Sequence, residues 1–154
     1  MNHEYFMSQA LKQATIARDL GEVPVGAVVV IEGSIVAQAY NRRELLSSSL
    51  EHAEISALEQ ACKKLGRWRL SDATLYSTLE PCVMCAGALW QSRIAQVVYG
   101  AKDSKFGGIE SLYQIGADER LNHQFSCING VLEQECAEIM TKFFADLRAR
   151  KRKL

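Results

Sequence analysis

The chain has 154 residues, 48% of them hydrophobic, with 18 basic and 18 acidic side chains and no formal net charge. That length suits a single domain, residues 1–154, with a sizeable core, and no apolar run reaches membrane-spanning length. The start, Met1-Asn2-His3-Glu4, lacks the order of a secretory signal, and five cysteines are an odd number for a disulfide framework, so a cytoplasmic, reduced protein is expected.

Phe6, Ala10, Ala14 and Ala17 recur at helical spacing and predict a helix from about Glu4 to Leu20, stopped by Gly21. Val25 to Ile31 is almost wholly apolar and β-branched, as in a buried central strand. Glu32-Gly33-Ser34 turns it into a second strand, Ile35 to Tyr40, as a hairpin. The polar segment Asn41 to Glu51, with three consecutive serines, is expected to be a mobile loop. Ile55, Leu58, Cys62 and Leu65 form the stripe of the next helix, which ends at Gly66.

Ala73 to Leu79 reads as a strand, and Pro81 stands where a helix to about Ser92 would start. Ile94 to Gly100 reads as another strand, making a strand–helix–strand crossover with its two strands parallel. Residues 101–126 are irregular, with a short helix expected near Ser111. Cys127 to Leu132 is read as a last strand, and Ala137, Met140, Phe144 and Leu147 as the stripe of a last helix. Residues 148–154 carry five basic groups and no acid. This tail suits either phosphate contacts or a solvated helix end whose cations complement the dipole. The elements together predict an α/β fold, a three-layer α/β/α sandwich around a mixed, five-stranded sheet.

Two short motifs carry the chemistry: His52-Ala53-Glu54, and Pro81-Cys82-Val83-Met84-Cys85. One imidazole and two thiols are a three-ligand zinc set, which leaves the fourth tetrahedral position open as in catalytic sites. Glu54 stands two residues from the first ligand, free to shuttle protons for an attacking water. His52 and Cys82 both fall at expected helix starts, where the dipole favours thiolates, and side chains tilt toward that end. Taken alone, Pro-Cys-x-x-Cys could be a redox dithiol or half of a structural zinc knuckle, and His-x-Glu a helix cap. In this order they are the signature of zinc nucleobase deaminases. Cys62, Cys127 and Cys136 read as structural, and His3 and His123 have no ligand-like neighbours.

Longer stretches narrow the choice. Glu22-Val23-Pro24-Val25-Gly26-Ala27, Asn41-Arg42, Ala73-Thr74-Leu75-Tyr76, the run Thr78 to Ala88, Ser92-Arg93-Ile94, Asn122-His123 and Phe143-Phe144 closely resemble the bacterial tRNA-specific adenosine deaminases. That family, in the cytidine/deoxycytidylate deaminase superfamily, converts the wobble adenosine of an arginine tRNA anticodon to inosine. The resemblance covers nearly the whole chain. It implies a cytidine deaminase-like fold and one zinc per subunit on His52, Cys82 and Cys85, with Glu54 as proton shuttle. It places Asn41 against the flipped base, Val23 and Val25 around the pocket, Asp103 by neighbouring nucleotides, and Phe144 and the tail near the anticodon stem-loop. It also implies a homodimer, for which the sequence itself offers only the apolar pair Leu89-Trp90.

Asn41 offers a donor and an acceptor to a base edge, although a turn residue after a strand has the same composition. Val23, Val25 and Phe144 are equally compatible with core positions. The chain departs from the family at Glu110, where a small residue is usual, and at Gln124, where an arginine is common. Two competing functions remain: a deaminase of free guanine, cytosine or a nucleotide, which shares the zinc set, and a non-catalytic zinc module that binds RNA. The basic tail and the long matching runs favour tRNA over the first, and the intact Glu54 argues against the second.

Overall fold

The computed structural model describes residues 2–152. The last two residues of the basic tail, Lys153 and Leu154, lie outside them. The elements are α1 (His3–Asp19), β1 (Gly26–Ile31), β2 (Ser34–Tyr40), α2 (Ala53–Leu65), β3 (Ala73–Leu79), α3 (Val83–Gln91), β4 (Gln96–Ala101), a 3₁₀ turn (Ile115–Ala117), β5 (Ser126–Ile128) and α4 (Glu133–Arg152). The five strands form one mixed sheet in the order β2-β1-β3-β4-β5. β1 runs antiparallel to both β2 and β3, whereas β3, β4 and β5 are parallel.

Strand side chains alternate between faces, and the two faces bury different helices. Val28, Val30, Tyr76 and Val98 pack with Phe6, Met7 and Ala10 of α1 and Cys136 of α4. Ala27, Val29, Leu75, Val97 and Tyr99 pack with Ala53, Ala57, Leu58 and Ala61 of α2 and Leu89 of α3. The expected three-layer α/β/α sandwich is thus present. Gly26 lets α1 approach closely, since a Cβ there would sit 2.0 Å from the Ala10 carbonyl oxygen.

Several boundaries differ from expectation. The buried face of α2 is Ala53, Ala57, Leu58 and Ala61, while Ile55, Cys62 and Leu65 are half-buried. Small residues line this face because the helix lies tight on the sheet, and a search for large apolar side chains passes over them. Pro81 lies before α3, whose N-cap is Cys82 in extended conformation, because Cys82 pairs with Gly107 as an isolated antiparallel bridge. The short helix expected at Ser111 is a 3₁₀ turn at Ile115–Ala117. β5 stops at Ile128, two residues before the turn glycine Gly130. α4 is longer than its stripe predicted, and of that stripe Ala137, Met140, Phe144 and Leu147 are only half-buried; Cys136 is the helix's buried residue.

The strand pairings assemble the functional segments. β1 begins opposite the end of β2, with Gly26 facing Tyr40, and opposite the end of β3, with Ala27 facing Ser77. β3 ends beside the end of β4, with Leu79 facing Ala101. The segments that enter β1 and leave β2, β3 and β4 therefore all meet at one edge of the sheet. Val23 and Val25, Asn41, His52, Cys82 and Asp103 lie on those segments.

Candidate active site

α2 and α3 start at this edge, and His52 and Cys82 are their N-cap residues. Neither spends its side chain on capping, which leaves both free to serve as ligands. His52 Nδ1 lies 3.6 Å from Cys82 Sγ and 3.5 Å from Cys85 Sγ, and the three ligand atoms lie within 4.8 Å of one another. Zinc–nitrogen bonds of about 2.0–2.1 Å and zinc–sulfur bonds of about 2.3 Å at a tetrahedral angle separate nitrogen and sulfur by about 3.5 Å. The trio thus has the spacing a tetrahedral ion requires, and one imidazole with two soft thiolates suits zinc.

The trio is electrostatically coupled. Cys82 is pulled down to about 4, first by the hydrogen bond from Cys85 and also by His52, against its burial. Cys85, the donor of that bond and buried, is held above the usual thiol range. His52 is raised, chiefly by its hydrogen bond with Cys82. Glu54, in the first turn of α2, is 4% exposed, and burial holds its carboxyl above the ordinary carboxylate range. A buried carboxyl beside a metal-ligand set, at two helix N-termini, is suited to taking and returning a proton.

The remaining expected residues are placed as follows. Asn41 is buried; its Nδ2 donates to the Val23 carbonyl at 3.1 Å and its Oδ1 accepts from Arg43 N at 3.1 Å. Its side chain therefore acts as a turn residue and ties down Val23. Val23 and Val25 are half-buried, and Val25 also packs against the core. Asp103 Oδ1 accepts from Lys105 N and Phe106 N, each at 3.1 Å, which shapes the tip of the loop after β4. Phe144 lies in the layer on the other side of the sheet from α2 and α3, edge-on to Phe143 at 5.3 Å. The described contacts do not bring it to the ligand trio. His3 bonds Tyr76 Oη and His123 the Ile94 carbonyl, both at 2.8 Å, so both have structural partners.

Two carboxylates that sequence reasoning passed over hold the loops around the site. Glu22, 1% exposed, accepts from Glu44 N at 3.1 Å and Leu45 N at 2.7 Å. With the Arg42–Glu51 ion pair at 3.2 Å, it laces residues 41–51, the segment expected to be mobile. Glu80, also 1% exposed, stands two residues before Cys82 and accepts five hydrogen bonds. Oε1 takes Asp103 N at 3.1 Å and Ser111 Oγ at 2.5 Å; Oε2 takes the backbone N–H groups of Ile109, Glu110 and Ser111 at 3.3, 2.8 and 2.9 Å. Burial alone would raise this carboxyl, but the bonds from Ser111, Glu110 and Asp103 outweigh it and hold it below the ordinary range. Gly107 is required by this wrapping, because a Cβ there would lie 2.4 Å from the Glu80 carboxylate. The available signal was a glutamate at the end of an apolar strand, a residue seldom buried without partners.

The two departures from the family pattern also have places. Glu110 turns its carboxylate to the sheet edge, accepting from Tyr99 Oη at 2.6 Å and Asn129 Nδ2 at 2.9 Å. Gln124 Nε2 donates to the carbonyls of Asp118 and Leu121 and closes its own loop.

A family model described as MafB19-like deaminase matches residues 1–148. The chain is 50% identical to a tRNA-specific adenosine deaminase of Bacillus subtilis (strain 168) over 149 residues, 97% of this chain and 92% of that protein. It is similar to a solved structure from studies of A-to-I editing by tRNA:A34 deaminases at the wobble position of transfer RNA. That match has TM-score 0.84 and 42% identity and covers 88% of this chain and 98% of the other. It is also similar to a guanine deaminase structure from Bacillus subtilis, with TM-score 0.64 and 37% identity over 70% of this chain and 72% of that one.

Proposed function

The chain belongs to the family of tRNA-specific adenosine deaminases, and from that premise we propose that it deaminates adenosine to inosine at the wobble position of the anticodon of an arginine tRNA. The observation that carries this is the convergence of His52, Cys82 and Cys85 beside the buried carboxyl of Glu54, in a chain matched almost end to end by an enzyme of that name. Water adds at C6 of the purine, the C6–N6 bond breaks, and inosine and ammonia leave.

His52 Nδ1, Cys82 Sγ and Cys85 Sγ would hold one zinc per chain. Zinc, when bound, supplies a Lewis acid that makes water nucleophilic near neutral pH. Glu54 takes one proton of the attacking water and passes it to N1 of the ring; it then takes the remaining proton from the C6 hydroxyl and gives it to the departing amine, which leaves as ammonia. Its raised affinity for protons suits both halves of that cycle. Asn41, fixed by Val23 and Arg43, still has a second N–H and a second lone pair for the base edge, with Val23 and Val25 beside it.

The base has to leave the stack to enter such a site, which costs least in an anticodon loop. Asp103 shapes the loop that would meet neighbouring nucleotides. Arg150 borders a groove of about 460 Å³ of mixed charge, lined by Arg18, Asp19, Lys142, Phe143 and Asp146, in which Arg18 pairs with Asp19 at 3.2 Å; the cations offered to RNA phosphates are therefore those of the basic tail at the end of α4. We further propose one domain over residues 1–154, a homodimer and a cytoplasmic location; among the described residues no helix is long and apolar enough to cross a membrane. Leu89 is buried in the core and is left out of the dimer surface.

The test is inosine formation at the first anticodon position of an arginine tRNA carrying adenosine there, run beside free guanine, cytosine and nucleotides. Inosine at that position is the expected result. Efficient turnover of a free base with the tRNA untouched would replace this function with the free-base one.

A further inference from the structure

We propose that Phe106 is a stacking platform for an unpaired nucleobase next to the one deaminated, an inference that rests on the tRNA function above. A single exposed apolar side chain is ordinary on a protein surface. The position of Phe106 is not. The residue is 65% exposed, the highest value among the exposed large hydrophobic residues of the described chain. It immediately precedes Gly107, whose backbone pairs with the ligand residue Cys82. Val83, on the other side of Cys82, is 51% exposed. The rim of the ligand trio therefore carries two apolar side chains facing solvent.

The loop that presents Phe106 is built to hold it in place. Phe106 N donates to Asp103 Oδ1 at 3.1 Å, Gly107 N to the Asp103 carbonyl at 2.9 Å, and Gly108 N to the Pro81 carbonyl at 2.8 Å. Glu80 anchors both ends of the loop, at Asp103 and at residues 109–111. An aromatic ring on a fixed loop loses little conformational freedom when it binds. Every nucleobase offers a π-face, so stacking needs no particular base. Lys102 and Lys105 are exposed on the same loop and add charge for the adjoining phosphates. An anticodon loop, with unpaired bases on both sides of the first anticodon position, is the partner this surface fits. The pair Asp103 and Phe106 thus divides the work: the carboxylate sets the loop and the ring meets the base.

The test uses the zinc-loaded full chain and an anticodon stem-loop with 2-aminopurine on either side of the first anticodon position. Wild type should quench one of the two probes on binding, and Phe106→Ala should lose that quench. Alanine replacement of a stacking aromatic typically weakens binding by about 5- to 160-fold. Phe106→Ala should therefore raise Kd and KM about tenfold, with kcat changed less than threefold and zinc content unchanged. Phe106→Trp should restore both quench and affinity. Binding within twofold of wild type in Phe106→Ala would overturn the proposal. So would an affinity loss accompanied by a shift from dimer to monomer in sedimentation, which would assign the ring to a subunit contact. If wild type binds the stem-loop and makes no inosine, the function above fails while the quench still decides the stacking.

Discussion

Replacing Glu80 with glutamine keeps the side chain's volume and removes one acceptor and the charge. The amide can place its oxygen where Oε2 now accepts three backbone N–H groups. Its nitrogen then faces Ser111 Oγ, which can rotate to accept, and Asp103 N, which cannot. The Asp103 N–H and the amide's second N–H are left facing each other without an acceptor, and three bonds to a charged group become bonds to a neutral one. Bonds to charged groups contribute about 1.5–3 kcal/mol and neutral ones about 0.5–1.5 kcal/mol, so the combined loss, after some relaxation of the loop, is about 3 kcal/mol. For a chain of this size that lowers Tm by about 6–12 °C. The change falls on the Asp103 end of the loop, so amide hydrogen exchange should speed up from Asp103 to Ser111 more than in β1 or α1. RNA affinity should fall while zinc stays bound, because all three ligands are intact. A Glu80→Gln protein with unchanged Tm and unchanged exchange in that loop would refute the claim that this carboxylate clamps it.

Glu54→Ala should retain its zinc and lose turnover by at least the ~10²–10⁴-fold typical of general acid–base groups, checked by elemental analysis and single-turnover inosine formation. Cys85→Ala should lose both metal and stability, since an incomplete ligand set no longer couples binding to folding; metal content and thermal unfolding read this together. Glu110 is held below the ordinary carboxylate range, first by the hydrogen bond from Tyr99. Its contribution to stability is therefore present above the ordinary value near 4.5 and lost as pH falls below it. Glu110→Gln should be less stable than wild type at pH 7, with the gap closing toward pH 3 in urea unfolding.

Much of this protein is legible in one dimension. Periodicity marks α1 and a continuous apolar run marks β1, and the sequence-local pairs His52–Glu54 and Cys82–Cys85 announce three ligands and a proton shuttle, because residues two or three apart at a helix start project toward the same end. The tertiary structure alone decides what joins the two pairs. His52 reaches Cys82 only because β1 runs antiparallel to both β2 and β3, which brings the end of β2 to the same edge as the end of β3. Glu80 and Glu22 lay outside the reach of pattern reading for the same reason. A carboxylate's role depends on which backbone N–H groups surround it, and those of Glu80 lie 23 to 31 residues away in the chain. The small-residue face of α2 and the half-buried stripe of α4 were likewise settled by how closely each helix lies on the sheet. Spacing along the chain specifies which chemistry a segment can offer; the free energy of packing and hydrogen-bond satisfaction, summed over distant segments, specifies which of those groups meet.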